Sequence, residues 1–296
     1  MTINISTRCY SENLMTNQIS LEELFHTLPL KVKKYENYFP AYEQILQKYR
    51  NQEVKVLEIG VLDGGSLLLW RRYLGSGATI VGVDINPRVT ELESKEFDLV
   101  IGDQGSKELW QRLKSLYGQF DIIIDDGGHT NRQQLLTLVN SIDLLKDGGK
   151  LVVEDTHCSY MSVFGNPSRY SFVNFAFKVV HKINSRFFDT PLDLITKSVF
   201  SIAFYESLVV LEVNRLNCKK NKETSNFSTP STRGDHRYKN DLVYTWIEKR
   251  LTTFFRLRIS NNRLKHNLKF VKSIFMKNYL KFKFKKENVT LRKYFK

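Results

Sequence analysis

Apolar residues recur at two different periods along this chain, and the switches between them predict its elements. From residue 21 to 49 the pattern is helical: Leu21, Leu24, Phe25 and Leu28 fall at i, i+3, i+4 and i+7, and Pro29 ends the run. Short apolar runs then alternate with helical stretches. Strands are predicted at residues 55–59, 79–84, 99–103, 120–125 and 150–154, and helices at 66–74, 107–117 and 130–145. Thr130 and Gln133 have the spacing of a capping box, with Leu135, Leu138, Val139, Ile142 and Leu145 forming the apolar face behind it. Such alternation requires crossovers between parallel strands, which are right-handed. After an irregular segment at 156–166 comes a helix near 171–183. Two strands, 200–205 and 207–213, come next with almost no link between them and must pair antiparallel. The fold class predicted is α/β: a Rossmann-like doubly wound sheet of about seven strands with an antiparallel last strand, an N-terminal helical cap and a basic helical C-terminal extension.

Charge divides the chain further. Residues 216–296 carry 22 Lys/Arg against 5 Asp/Glu, while the rest is close to neutral, so the overall +14 belongs to the end of the chain. The domains expected are a cap at 1–50, a catalytic domain at 51–215, a polar linker rich in Lys, Asn, Ser and Thr at 216–239, and a basic amphipathic helical extension at 240–296. The first twenty residues are polar and no apolar run reaches the length of a membrane span, which predicts a cytoplasmic protein. Cys9, Cys158 and Cys218 lack metal-ligand spacing and leave an odd thiol, so free cysteines are expected.

Candidate chemistry sits on the predicted strand ends. The run VLEIGVLDGGS (56–66) reads as strand, glycine-rich turn and helix start, in which Gly60, Gly64 and Gly65 allow a sharp turn and a close approach of backbone to ligand. Asp84 ends the second strand, where a carboxylate can accept both hydrogen bonds of a ribose diol. Glu58 before the first glycine, and a spacing that departs from G-x-G-x-x-G, disfavour a pyrophosphate and suit the ammonium or sulfonium of S-adenosylmethionine. The segments IIIDDGGHT and LVVEDTHCSY place Asp125, Asp126, His129, Glu154, Asp155 and His157 at the ligand-binding edge of an open α/β sheet. So many carboxylates call for a counter-cation, and oxygen ligands suit Mg²⁺, with Asp126, Glu154 and Asp155 as the candidate ligands. His157, two residues past Asp155, is the candidate general base. His129 is the second candidate, and Asp125 is read as a helix cap or the floor of the cofactor pocket.

Together these stretches, with KKYENYFPAYE (33–43), IGDQ (101–104) and FYESLVVLE (204–212), resemble the class I S-adenosylmethionine-dependent methyltransferases. More narrowly they resemble the metal-dependent sugar O-methyltransferases of the mycinamicin and macrocin type, with a more distant likeness to cephalosporin hydroxylase-like proteins. The resemblance covers roughly residues 30–213. It implies that Glu58 and Gly60 lie along the methionine and ribose end of the cofactor, that Asp84 binds the ribose, and that Asp103 and Gln104 meet the adenine. It further implies Mg²⁺ on Asp126, Glu154 and Asp155, His157 as base, and transfer of methyl to a hydroxyl of a sugar or glycan-type acceptor. The tail lies outside it. Its mixture of Lys and Arg with Phe, Tyr and Trp suits a helical hairpin with a solvated basic face, an anionic membrane surface that would hold the protein peripherally at the inner face of the membrane, or nucleic acid. A nucleic-acid methyltransferase, and a non-catalytic Rossmann-like binding protein or an NAD oxidoreductase, are the competing function classes.

Overall fold

The computed structural model describes residues 19–92, 95–226, 238, 240–258 and 262–295. It divides into two compact units, the first ending at Glu223 and the second beginning at Thr224.

In the first unit, two short helices, α1 (Leu21–Thr27) and α2 (Tyr38–Leu46), precede the sheet. The helical pattern of residues 21–49 is thus interrupted by an irregular stretch at 28–37. Strands and helices then alternate in the order β1 (Lys55–Ile59), α3 (Gly65–Leu74), β2 (Thr79–Asp84), β3 (Asp98–Ile101), α4 (Lys107–Tyr117), β4 (Phe120–Asp125), α5 (Asn131–Ser141) and β5 (Leu145–Val153). After two 3-10 turns come α6 (Phe172–Asn184), the short α7 (Leu194–Ser198), β6 (Val199–Tyr205) and β7 (Leu208–Val213). The seven strands form one sheet in the order β3-β2-β1-β4-β5-β7-β6. Strands β1 to β5 run parallel to one another, and β7 runs antiparallel to both β5 and β6. This is the Rossmann-like arrangement that the alternation predicts.

Helix ends obey local chemistry. The Thr130–Gln133 capping box forms, and a second one, Ser20–Glu23, starts α1. Helix α5 stops four residues short of the predicted end, because Ile142–Leu144 tightens into a 3-10 turn and Leu145 already belongs to β5.

The sheet alternates its side chains between two cores. On one face Val56, Ile80, Ile122, Ile124 and Val152 pack with α1, α2 and α3, including Trp70 and Tyr73. On the other, Leu57, Val81, Ile123, Leu151 and Val153 pack with α4, α5 and α6. The N-terminal helices therefore share the core of the sheet.

In the second unit α8 (Leu242–Arg258) and α9 (Asn262–Leu291) pack on each other. Asp241 ties them by accepting from Tyr279 and Lys283. Among the described residues no helix is long and apolar enough to cross a membrane. Residues 227–237 and 239 of the expected linker lie outside the described residues, as does Cys9. Cys158 and Cys218 are free and buried.

Candidate active site

A cavity of about 660 Å³ opens at the carboxyl edge of β1, β2, β4 and β5. Its floor is the glycine-rich turn. Gly60 has φ 94°, a left-handed value, and a Cβ there would run into the carbonyl of Asp126. The glycine is thus required by close packing of one backbone on another within the protein, in addition to any approach of a ligand. Gly64, at φ 77°, starts α3. Asp84 closes the turn: its Oδ2 accepts from the Val61 and Leu62 amides at 2.9 and 3.3 Å, and its Oδ1 from the Asn86 amide at 2.8 Å. Asp103, Asp126, His129, Glu154 and Asp155 also line the cavity.

Strand parity sorts the carboxylates. Glu58, Asp126 and Glu154 continue the face of Val56, Ile124 and Val152, and they converge there on one buried cation, Lys34. Its Nζ lies 2.6 Å from Asp126 Oδ2, 2.7 Å from Glu154 Oε1 and 3.7 Å from Glu58 Oε1. Tyr42 also donates to Glu154 Oε1, and the Ser66 hydroxyl donates to Glu58 Oε2 at 2.8 Å. Burial raises the Glu58 carboxyl to about 7 against the pull of Lys34. Burial and the neighbouring Asp126 push Glu154 up to about 8. Burial alone would lower Lys34, but the three carboxylates outweigh it and hold the ammonium well above its ordinary value. Sequence reasoning missed Lys34, Tyr38 and Tyr42. Their recurrence every four residues was the available signal.

A second group faces the open cavity. His129 Nε2 lies 3.5 Å from Asp155 Oδ2 and 3.9 Å from Asp126 Oδ1, and one ligand atom from each of Asp126, His129 and Asp155 can share a metal ion. Among the described residues, the buried His129 Nδ1 has no hydrogen-bond partner. Asp155 is held by Tyr38, whose hydroxyl donates to Oδ1 at 2.6 Å and accepts from the Asp155 amide at 3.1 Å.

Four residues expected at the site, Glu58, Gly64, Asp125 and His157, do not line the cavity, and a fifth, Gln104, borders it with its side chain turned away. Asp125 continues the opposite face of β4, as its parity with Ile123 requires, and does not line the cavity. It is fully buried, its Oδ1 accepts from Gln104 and the Gly127 amide, and burial raises its pKa. Gln104 borders the cavity, yet its side chain is committed inward: Nε2 donates to Asp125 and Thr137, and Oε1 accepts from the Gly128 amide. His157 does not line this cavity either. Asp155 adopts a left-handed φ of 55° and starts the 3-10 turn Thr156–Tyr160, which carries His157 to the β6–β7 hairpin, where Nδ1 lies 2.5 Å from Ser207 Oγ.

Residues 57–156 match the family model described as a methyltransferase domain. Demethylmacrocin O-methyltransferase of Streptomyces fradiae is 35% identical over 136 residues, 44% of this chain and 34% of the relative. Mycinamicin VI 2''-O-methyltransferase of Micromonospora griseorubida is 35% identical over 133 residues, 43% of this chain and 33% of the relative. The chain therefore spans about a third of the length of these relatives. Among solved structures, the MycE methyltransferase of the mycinamycin biosynthetic pathway, in complex with Mg and SAH, matches with a TM-score of 0.61 and 26% identity, over 68% of this chain and 55% of that one.

Proposed function

We propose that this chain, whose residues 57–156 are a methyltransferase domain, transfers methyl from S-adenosylmethionine to a hydroxyl of a sugar or glycan-type acceptor with the help of Mg²⁺. The observation that carries this reading is that one cavity holds the glycine-rich turn, the ribose-type carboxylate Asp84 and the open Asp126–His129–Asp155 group. Similarity to sugar O-methyltransferases, and to a structure containing Mg and SAH, supports the choice of cofactor and acceptor.

Asp84 would accept from the ribose with the lone pairs its backbone donors leave free, and Asp103 would border the adenine. Gln104, whose side chain is committed, would act by shaping the wall. Gly60 would lie along the methionine end; Glu58, expected beside it, is buried behind the wall against Lys34 and Ser66.

Asp126 and Asp155 suit a hard divalent cation, and their carboxylate oxygens fit Mg²⁺, which leaves the His129 imidazole free of the metal. Glu154 would complete the set from the deeper group, where Lys34 already supplies one positive charge. Bound there, the metal would polarise the acceptor hydroxyl as a Lewis acid. S-adenosylmethionine supplies a methyl group on a good leaving group. The chain's own residues do the positioning: Tyr38 fixes Asp155, and Lys34 sets Asp126 and Glu154. His129 then takes the proton, because Nε2 is the imidazole nitrogen beside Asp126 and Asp155, whereas His157 lies outside this cavity.

Calorimetry with S-adenosylmethionine and with NAD, and then methyl transfer to a glycan panel before and after chelation, tests the reading. Binding of S-adenosylmethionine alone and Mg²⁺-restorable transfer are expected. NAD binding would refute the cofactor, and full turnover after chelation would refute the metal.

For the second unit we propose a peripheral contact with an anionic membrane at its inner face. Trp246, Phe270, Phe275 and Phe282 are exposed on helices rich in lysine, a combination that suits the headgroup layer. Sedimentation with phosphatidylglycerol vesicles, lost on adding salt and absent with phosphatidylcholine, is expected. Tight RNA binding without vesicle binding would overturn the membrane contact in favour of nucleic acid.

A further inference from the structure

Beside the first cavity lies a second, of about 470 Å³, and Tyr35 lines both. That volume falls within the roughly 300–1,000 Å³ of small-molecule pockets. Phe177 and Phe204 form one wall, stacked with ring centroids 5.4 Å apart and planes 19° apart. They remain 53% and 44% exposed, an unusual state for paired phenylalanines on a protein surface. Apart from these two and Val173, every lining residue carries a side-chain nitrogen or oxygen.

The polar part of this cavity is wired to the first. Tyr38 has one hydroxyl proton and directs it to the Asp155 carboxylate, which only accepts. Ser207 Oγ lies 3.1 Å from the Tyr38 oxygen and 2.5 Å from His157 Nδ1, so its hydroxyl links the two rings. His157 Nε2 has no partner among the described residues and is left for a ligand, as donor or acceptor according to the tautomer. Ser207 is held at φ 61°, a left-handed value that a serine seldom adopts, so the hairpin turn keeps its hydroxyl in place at a backbone cost.

We propose that the second cavity is a saccharide subsite. It holds the sugar next to the one being methylated, with the Phe177–Phe204 wall against a C–H face of the ring and His157 Nε2 hydrogen-bonded to one of its hydroxyls. The proposal rests on the O-methyltransferase reading of the first cavity. A pyranose offers what this lining asks for, an apolar ring face and a polar rim. A purely apolar occupant would strand the surrounding hydroxyl, amide, imidazole and carboxylate groups without partners. The shared wall at Tyr35 makes the two sites neighbours, so one acceptor can fill both.

The test uses the full chain. S-adenosylhomocysteine is titrated by calorimetry. With it bound, methyl glycosides of rhamnose, glucose and galactose and their disaccharides are titrated in turn. A disaccharide should bind about ten-fold tighter than its monosaccharide, a difference of ~1.4 kcal/mol. Phe204→Ala and His157→Gln should each remove most of that preference while leaving S-adenosylhomocysteine affinity unchanged. Phe204 is exposed enough for its variant to fold. Three results overturn the subsite while the cofactor still binds: no preference for disaccharides, a preference that neither variant alters, or binding of anilinonaphthalene sulfonate that no sugar displaces. Absence of S-adenosylhomocysteine binding would overturn the methyltransferase reading and the subsite with it.

Discussion

Replacing Lys34 with methionine keeps the apolar stem and removes the ammonium from among three carboxylates. At an effective dielectric of about 20, each of the two contacts near 2.7 Å is worth roughly 6 kcal/mol of attraction. Desolvation of the ammonium offsets several kcal/mol of this, so a net loss of about 3–5 kcal/mol is expected, the usual result of leaving buried charges unpaired. The loss should depend on pH. Glu58 and Glu154 have folded pKa values raised to about 7 and about 8, so the folded protein binds protons that the unfolded chain releases above about 4.5. Their contribution to stability is therefore full below about 4.5 and is lost as pH rises through about 7 and 8, at up to ~1.4 kcal/mol per pH unit for each extra proton held. Without Lys34 both folded values climb further and the decline continues past pH 8. Urea unfolding of both proteins at about pH 6, 8 and 9 measures this, and the gap between them should widen with pH. Mg²⁺ should narrow it by substituting for the lost charge. A gap below about 1 kcal/mol at pH 8, or one that is equal at pH 6 and 9, would refute the account of Lys34 as the counter-charge of this cluster.

The same geometry bears on three other side chains and positions. Asp84→Asn should weaken S-adenosylmethionine binding by about 1.5–3 kcal/mol, with unchanged calorimetric affinity counting against the ribose contact. His129→Ala should lower kcat by about 10²–10⁴-fold while cofactor affinity survives; single-turnover assays that find a wild-type rate would remove it as the base. Gly60→Ala should destabilise the fold by more than ~1 kcal/mol and abolish cofactor binding, because the new methyl meets the Asp126 carbonyl and φ is positive; a variant with unchanged thermal unfolding would contradict that packing.

Strand ends and helix spans were largely legible because they depend on local periodicity. β2, α4 and β4 fall at the predicted residues, and the Thr130 cap forms as its spacing requires. The site was legible only in part. The separation of Asp125 from Asp126 is a matter of strand parity and was open to reading, yet chain proximity grouped the two. Lys34 could not be placed in that way. It reaches Glu154 across 120 residues, through an irregular segment between α1 and α2 whose path is decided by packing rather than by its own pattern. The position of His157 depends on one left-handed residue, Asp155, and no local signal marks an aspartate for that conformation.

The insertion of β7 between β5 and β6 has an evolutionary consequence. The parallel strands β1, β2, β4 and β5 each end in a loop that must lead back toward the next strand, so changing such a loop disturbs the packing of the helix and strand beyond it. The β6–β7 link, Glu206–Ser207, is a tight turn at the same edge and has no such duty. Ser207 is tied to Tyr38 and His157, but Glu206 can be recoded while the cofactor wall stays as it is. The fold thus separates an interchangeable cassette from a constant one, and diversification among descendants of this scaffold should concentrate at the turn.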